Sequence, residues 1–365
     1  MNDEDLASYG LDPSAADAAE WRELVELATA AGATDGEIRD AIAGRRLHAL
    51  PVQLGLIGGG QRITVAEAGA RVGLDPEFSR QLWSALGLAA DGDTPCTDRD
   101  VPLFAYYRWA LERLGPAEAL EGARAMGVSL SQLADSEIAQ MRAAIEAPVR
   151  AGGAGDVDVA HLLLGLLDVM PVLQDAVLVA HRQHVYGAGR RYSLWGIPPS
   201  EASTTECVVG FADVVGSTAL GERLGAAELD ARVRAFEGRV AEIAAGPDTR
   251  LVKLIGDEAM FVTGTAIDAV ALASALVQDP RLPELRIGLA AGEVVTRGGD
   301  LYGPVVNLAA RLVAVATPGS IVADAQVVAQ LPTGGAIRIE PLGPRELAGF
   351  EIPVDVFEVG ASPRS

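Results

Sequence analysis

One carboxylate stands at the end of an apolar run in the second half of the chain. The run from Cys207 to Ala212 predicts a buried strand that delivers Asp213 to its end. The chain then turns at Gly216 into a helical pattern that begins near Ser217. A carboxylate can bind a cation, and free N–H groups at a helix N-terminus attract an anion. A capped helix that follows a strand shows the same pattern, so the turn by itself does not establish a binding site.

A second carboxylate, Asp257, lies in a predicted hairpin turn. Gly256 gives this turn the backbone freedom it needs, although Gly-Asp is also ordinary turn chemistry. Pairing of adjacent strands would place Asp257 beside Asp213. Two carboxylates at such a short distance share cations or shift their pKa values. Mg²⁺ or Mn²⁺ with a nucleotide phosphate would neutralise their charge.

Three further side chains suit an anionic ligand. The i, i+4 spacing places Asn307 and Arg311 on one face of a predicted helix, where an amide and a guanidinium would point in one direction. The chain contains 28 arginines but one lysine, Lys253. This usage indicates that a compact ammonium donor, rather than a guanidinium fork, is required at that position.

Composition limits the class of protein. A chain of 365 residues is long enough for two domains. Its formal net charge of -21 repels nucleic-acid backbones and anionic lipid, so we expect no nucleic-acid partner. The two cysteines, Cys96 and Cys207, have neither disulfide-scaffold nor zinc-site spacing. The acidic N-terminus does not resemble a secretory signal, and we expect a cytoplasmic protein.

The chain divides into two patterns. Residues 1–180 show apolar residues at helical spacing and predict an all-helical regulatory and dimerisation domain, followed by a linker at 181–203. From 204 to 360, apolar strands alternate with amphipathic helices. This pattern predicts an α+β domain with helices over one face of a mixed sheet. Two of its strands, Leu285 to Glu293 and Val294 to Arg297, are predicted to follow one another directly.

Residues Ile63 to Leu88 outline two short helices around a turn, as in helix-turn-helix proteins. DNA binding is the specific interpretation of this outline. The second helix offers only Arg80 to DNA and lies in an acidic half of the chain, so a packing motif is favoured.

A stretch from Asp156 to about Val185 is apolar on most faces, and Pro171 is predicted to kink it. Asp168 and Asp175 interrupt its apolar run, which favours a buried helix over stable membrane insertion. A helix that is apolar all round needs cover from its own domain or from a second copy of the chain. Dimer contact is the leading prediction, and a small hydrophobic ligand between such helices is the alternative.

His181 and His184 lie one turn apart at the end of this stretch. Two imidazoles at this spacing can titrate together between pH 5 and 8, and their charge would alter helix-end electrostatics by ~1 kcal/mol. A solvated helix end, where histidine suits the helix dipole, is the favoured interpretation. The competing hypothesis is that the pair is a regulatory trigger.

The segment from Thr204 to about Val359 resembles the catalytic domain of class III nucleotidyl cyclases. Three motifs occur in the matching order: the turn after Asp213, the hairpin from Lys253 to Glu258, and the segment from Asp300 to Arg311. The resemblance implies a ferredoxin-like α+β fold and a head-to-tail homodimer with two active sites between protomers. The amino-terminal half resembles, more loosely, the helical regulatory domain that precedes soluble actinobacterial cyclases.

The resemblance implies roles for the acidic and turn residues. Asp213, Val214 and Asp257 are implied to bind two divalent cations per site, Mg²⁺ or Mn²⁺. One cation would activate the ribose 3′-hydroxyl and the other would hold the triphosphate of ATP during in-line attack on the α-phosphate. The turn residues implied to bind the substrate are Val214, Val215, Gly216, Ser217 and Thr218.

The resemblance also implies which residues recognise the nucleotide. Lys253 and Asp300 match the pair that reads the base, and this choice resembles adenylate rather than guanylate cyclases. Asn307 and Arg311 match the pair that orients the ribose and neutralises charge on the α-phosphate. Since the metal-binding and base-reading residues of one site come from different chains in this family, a monomer would be inactive.

One position departs from the family pattern. Many relatives carry a basic residue, associated with the triphosphate, where this chain has Ala348. Arg345, Arg297 and Arg286 are the candidates to replace it.

Two other functions stay open at this point. One is a palm-type enzyme with guanylate or diguanylate cyclase activity. Gly256-Asp257-Glu258 partly matches the motif of such enzymes, although Lys253 disfavours this function. A dimeric regulator with a degenerate cyclase module is the non-enzymatic alternative. The six expected catalytic positions are all filled, which argues against degeneracy.

Overall fold

The computed structural model describes residues 1–89, 96–194, 204–217, 224–246, 249–332 and 337–361. It forms two compact units, Met1–Ala180 and His181–Ser365. The described part of the predicted linker, 181–194, is helical, and residues 195–203 lie outside the described ranges. A separate linker therefore stays a prediction.

The first unit is built from helices, which confirms the all-helical prediction. Its described residues contain one isolated β-bridge, between Arg62 and Thr97, and no strand. The helices are α1 (Asp3–Ser8), α2 (Ala18–Ala30), α3 (Asp35–Ala43), α4 (Leu50–Leu56), α5 (Val65–Ala70), α6 (Pro76–Ala85), α7 (Val101–Leu114), α8 (Pro116–Met141), α9 (Ala147–Ala151), α10 (Asp156–Leu166) and α11 (Met170–Leu194), the last of which continues into the second unit.

The helix-turn-helix outline is a packing element in this unit. Leu74 in the turn and Phe78 and Leu82 on α6 are buried in one apolar cluster. Arg80, the basic residue that α6 could offer to DNA, forms an ion pair of 2.6 Å with Glu77 on the same helix. Burial of the turn and of one face of α6 accounts for the helical spacing seen in the sequence.

The apolar stretch is buried in part along α10, at Val159, Ala160 and Leu163, and is largely exposed along α11. A 3-10 turn, Leu167–Val169, interrupts the helix, and α11 resumes at Met170. Pro171 is thus the second residue of α11, where its missing N–H breaks no helical hydrogen bond. Only 6% of the most apolar window of Asp156–Arg191 is buried. The expectation of a buried helix is therefore wrong for α11 in the single chain, whereas α10 packs on its own domain.

By length and composition, Asp156–Arg191 is the one helical stretch in the described ranges that could cross a membrane. A helix of a protein interface passes the same test, so this finding carries little weight. Val172 and Leu178 on α11 are 66% and 65% exposed. Cover by a second copy and binding of a small hydrophobic ligand both stay predictions.

The second unit is α+β, as predicted. Its strands are β1 (Thr204–Val214), β2 (Thr249–Ile255), β3 (Glu258–Thr263), β4 (Leu285–Arg297), β5 (Asp300–Tyr302), β6 (Ile321–Asp324), β7 (Ile337–Arg345) and β8 (Val354–Ala361). The described helices that follow α11 are α12 (Ala226–Ala244), α13 (Ala266–Gln278), α14 (Pro304–Val315) and α15 (Ala325–Ala329).

The sheet has the strand order β2-β3-β1-β4-β6-β8-β7, with β5 paired to β4. The first four strands are antiparallel to their neighbours and, with α12 and α13, form the β-α-β-β-α-β order of a ferredoxin-like core. β6 joins β4 in parallel. The pairing of β1 with β4 runs without a break from Thr204 opposite Val295 to Val214 opposite Leu285, so the two strands predicted for Leu285 to Arg297 are one.

Helices cover both faces of this sheet, which corrects the prediction of helices over one face. α12 and α13 pack on the face that contains Val208 and Ala212, while α14 packs on the face that contains Val209 and Phe211. Because successive side chains of β1 point to opposite faces and all four are apolar, both faces need cover.

The close approach of α14 to β4 depends on a glycine. A Cβ at Gly288 would lie 2.4 Å from the backbone oxygen of Ala309 and 2.7 Å from the backbone nitrogen of Val313. Backbone atoms cannot move aside as a flexible side chain can. Gly288 therefore determines how α14 is seated.

We predict that Gly288→Ala lowers the free energy of unfolding by about 1–3 kcal/mol, because the added methyl group displaces α14. Differential scanning calorimetry of the full chain measures the effect as a lower melting temperature. Gly238→Ala is the matched control, since no atom lies within 4 Å of a Cβ at this exposed position on α12. An unchanged melting temperature for Gly288→Ala would contradict the described packing.

Candidate active site

Asp213 lies near the end of β1, between the two neighbouring strands. The strand register places it opposite Glu258 on β3 and opposite Arg286 on β4. The Arg286 guanidinium donates to the Asp213 carboxylate at 2.5 Å, and both side chains are partly buried. The Nε atom of Arg286 is buried and has no hydrogen-bond partner. This pair holds Asp213 in place and leaves one donor of Arg286 available.

Asp257 lies beside Asp213 because the hairpin turn is bonded to the end of β1. The Val214 N–H donates to the Asp257 carbonyl oxygen at 3.2 Å. Gly256 has a φ of +63°, a left-handed conformation that the turn requires. The two strand ends therefore bring together the acidic residues that the sequence suggested would meet.

The pKa of Glu258 indicates the sign of the electrostatic potential at this end of the sheet. Burial raises the pKa of Glu258, and the negative charges of Asp213 and Asp257 raise it further against the opposing charge of Lys253. A carboxyl group whose pKa is raised by neighbouring carboxylates indicates a negative potential. This potential favours a bound cation.

The donor set fits a hard divalent cation. Carboxylate oxygens are the ligands that Mg²⁺ and Mn²⁺ prefer. Among the residues that the structure describes, no group of three or more His, Cys, Asp or Glu side chains could hold a metal ion. A pair of carboxylates suits a cation that keeps several waters and completes its coordination with substrate phosphates.

The turn after β1 offers fewer donors than the sequence suggested. The N–H groups of Val214 and Val215 are bonded to the carbonyl oxygens of Asp257 and Glu284. Gly216 has a φ of +72°, and Ser217 follows it as the last described residue of the turn. Gly216 and Ser217 are therefore the described residues of this turn whose N–H groups are candidates to face a phosphate. Thr218 lies outside the described residues.

A β-bulge determines which face of the sheet Lys253 occupies. The pairing of β2 with β3 shifts between Leu251 and Lys253, so Val252 is an extra residue. Lys253 consequently pairs with Met260, which belongs to the face covered by α14. In regular alternation it would share the opposite face with Leu251. The bulge thus keeps the only lysine out of the apolar cluster that α12 and α13 cover.

Lys253 and Asp300 form an ion pair. The Lys253 ammonium donates to the Asp300 carboxylate at 2.6 Å, although 47 residues separate them. Burial acts to raise the pKa of Asp300, but the hydrogen bonds from Lys253 and from the Leu301 N–H, with the charges of Lys253 and Arg250, lower it overall. Asp300 is thus held as a carboxylate beside an ammonium group.

In the described ranges, the side chains of Asn307 and Arg311 form no hydrogen bond or ion pair with either group of residues. They lie on the exposed face of α14, whose opposite face buries Ala309 and Leu312. In the part of the chain that the structure describes, Arg311 has no ion-pair partner. The transition-state pair implied by the resemblance therefore faces away from its own core.

The positions around Ala348 show which arginine lies near the acidic pair. Ala348 is exposed between β7 and β8, and Arg345 is exposed at the end of β7. Arg297 is the last residue of β4 and already interacts with another group of the chain. Of the three candidate arginines, Arg286 is the one that contacts Asp213.

Comparison with known proteins identifies the family. Residues 199–357 match the family model of the adenylate and guanylate cyclase catalytic domain. An adenylate cyclase of Streptomyces coelicolor is 31% identical over 283 residues, which cover 76% of this chain and 73% of the relative.

The chain belongs to the class III nucleotidyl cyclase family.

Other relatives extend the similarity over the helical half. An uncharacterized protein of Mycobacterium tuberculosis is 34% identical over 340 residues, 92% of this cyclase and 89% of the relative. A pH-sensitive adenylate cyclase of the same species is 30% identical over 321 residues, 82% of this cyclase and 78% of the relative. The similarity therefore includes the first unit as well as the catalytic domain.

Sequence reasoning missed two features of the cyclase site. It did not find the bulge at Val252, for which an apolar strand gives no local signal. It also assigned nothing to Glu258, although this residue directly follows Asp257 and its charge was visible in the turn.

We predict that Asp213→Asn weakens Mn²⁺ binding by at least about tenfold, because it would remove one of the two carboxylates of the candidate cation site. Electron paramagnetic resonance of free Mn²⁺ measures the binding. Glu293→Gln is the matched control, since it removes one acidic charge from an exposed position of β4. Equal affinity of Asp213→Asn and the parent would rule Asp213 out as a ligand.

Proposed function

We propose that this cyclase converts ATP to 3′,5′-cyclic AMP and pyrophosphate. The observation that carries the proposal is the ion pair between Lys253 and Asp300. Adenine offers its N1 acceptor to an ammonium donor and its exocyclic amine to a carboxylate acceptor. The named adenylate cyclases among the relatives support this choice of base.

The active site is proposed to be shared between two copies of the chain. Asp213, Asp257 and Arg286 form one group, while Asn307 and Arg311 are exposed on α14. An exposed guanidinium and a partly buried negative site on the same molecule are complementary between copies related by a two-fold axis. The exposed apolar side chains of α8 and α11 would add contact area.

Each residue of the shared site has a physical role in the proposed reaction. Asp213 and Asp257 would hold two cations, Mg²⁺ or Mn²⁺, which supply polarisation of the ribose 3′-hydroxyl and of the triphosphate. The second copy would bring Asn307 to the ribose and Arg311 to the α-phosphate. A guanidinium placed where charge increases in the transition state lowers the barrier.

Arg286 is proposed to supply the triphosphate-binding cation that Ala348 cannot. Its guanidinium is at the metal-binding carboxylate, and its buried Nε lacks an acceptor. A phosphate oxygen would satisfy this donor.

The direct test incubates the purified protein with ATP or GTP and Mn²⁺ and identifies the products by chromatography and mass spectrometry. We expect cyclic AMP from ATP and loss of activity in Asp213→Ala. Cyclic GMP or cyclic diguanylate from GTP, without cyclic AMP, would contradict adenylate specificity. Absence of any cyclic product would favour a non-enzymatic regulator.

Mixing inactive variants tests the shared site. Asp213→Ala and Asn307→Ala should each be inactive, but their mixed dimers contain one intact site, so about a quarter of the parental activity should return after subunit exchange. A mixture of Asp213→Ala and Asp257→Ala is the matched control and should stay inactive, because both changes affect the same side of each site. Failure of the first mixture, with exchange verified by differential tags, would contradict the proposal.

The helical unit is proposed to control the catalytic unit in the cytoplasm, with His181 and His184 as a pH-responsive trigger. Both histidines are exposed, but they lie within α11, which continues to Leu194, so the expectation that they mark the end of the helix is wrong. The pH-sensitive adenylate cyclase among the relatives supports this form of control. Protonation would place two positive charges one turn apart on α11, where they repel each other.

We predict that the His181→Ala/His184→Ala double variant has a flatter dependence of activity on pH between 5 and 8 than the parent. The measurement is the initial rate of cyclic AMP formation at constant ionic strength. An Arg182→Ala variant of the same helix is the control for loss of an exposed basic side chain. A pH profile of the double variant that superimposes on the parental profile places the trigger elsewhere.

A further inference from the structure

A cavity of about 450 Å³ lies within the second unit, apart from the acidic pair. One wall is the part of α11 from His181 to Arg191, which belongs to the same compact unit as the sheet. The other wall is formed by strands β1 to β5. None of the roles assigned so far uses the cavity as a binding site.

The charged groups of the cavity are all basic or titratable to a cation. Two histidines, His181 and His184, and two arginines, Arg191 and Arg250, line it, and no carboxylate does. This is unusual for a chain with 50 acidic and 29 basic side chains. The cavity therefore has the opposite charge preference from the protein as a whole.

Most of these groups are not neutralised by the chain itself. Within the described ranges, His181, His184 and Arg191 have neither an ion pair nor a hydrogen-bonded side-chain partner. Arg250 donates to the Gly299 carbonyl oxygen, and its charge lowers the pKa of Asp300. An anion entering the cavity would thus meet donors that a neighbouring carboxylate has not already occupied.

The floor of the cavity is apolar. Val262, Val294 and Leu301 are buried there, beside Cys207. Burial raises the pKa of the Cys207 thiol to about 12, against the lowering influence of the Arg250 charge, so the thiol stays neutral. A ligand that fills this space must combine an anionic group with an apolar body.

We propose that this cavity binds a small organic anion, with a carboxylate or phosphate group directed to the basic wall and an apolar body on the valines and leucine of the floor. Charge-assisted hydrogen bonds from guanidinium groups give the head group its affinity. Removal of the apolar body from water adds to it.

The position of the cavity links its occupancy to nucleotide recognition. Gly299 and Leu301 line the cavity and flank Asp300, and Arg250 lies on the same strand as Lys253. A bound anion would contact the two strands that hold the base-reading pair and would change the KM for ATP. This second step rests on the proposed adenylate cyclase function, whereas binding of the anion does not.

Binding is tested by isothermal titration calorimetry on the full chain without nucleotide or metal. The probes are hexyl phosphate and hexanoate, with hexanol as the uncharged control. We expect one site per chain for at least one anion and at least about tenfold weaker binding of hexanol. The preferred anion identifies the head group. Equal binding of hexanol, or no binding of either anion, overturns the proposal.

Variants locate the site. Arg191→Gln should weaken the anion at least about fivefold, whereas Arg190→Gln, an exposed neighbour that does not line the cavity, should leave affinity unchanged. Ala188→Trp should abolish binding by filling the space from the helix side. Equal weakening by the two arginine variants, or full affinity in Ala188→Trp with a parental circular dichroism spectrum, overturns the assignment.

The kinetic experiment measures the KM for ATP in the presence of the anion that binds. We expect its saturation to change the KM for ATP at least about twofold in the parent but not in Arg191→Gln. An unchanged KM with proven binding overturns the link to the base-reading pair. If the protein forms no cyclic AMP at all, the proposed function fails while the calorimetric result still decides the binding site.

Discussion

The cross-strand ion pair between Asp213 and Arg286 depends on the register of β1, and the rest of the catalytic unit depends on the same register. β1 is held on both sides, by β3 and by β4, over most of its length. A shift by one residue would turn Asp213 and every apolar neighbour to the opposite face. The buried apolar residues on both faces of β1 therefore fix the position of the carboxylate that the proposed chemistry requires.

Polar side chains reach the site through local exceptions to regular structure. The bulge at Val252 moves Lys253 to the face of the sheet that α14 covers, and Gly288 allows α14 to lie against β4. The glycine turn before Asp257 brings the second carboxylate to the end of β1. Each exception has a local cost in regular hydrogen bonding or packing, which the surrounding sheet offsets.

The single chain leaves its charges incompletely matched. Burial and then the neighbouring carboxylates raise the pKa of Glu258, while Arg311 has no ion-pair partner in the described ranges and Asn307 is exposed beside it on α14. The apolar side chains of α11 are likewise exposed. The proposed second copy and bound ligands would cover these groups, because extended apolar surface is unfavourable in water and a negative site favours a cation.

The sequence alone determined the local features: the order of helices and strands, the carboxylate at the end of β1, and the shared face of Asn307 and Arg311. These depend on spacing along the chain, and alternation or i, i+4 periodicity encodes them directly. The tertiary structure alone decided that Asp213 meets Arg286 across 73 residues, that a bulge reorients Lys253, and that helices cover both faces of the sheet. Such contacts join segments distant in sequence, and their energies come from burial and pairing that no local pattern contains.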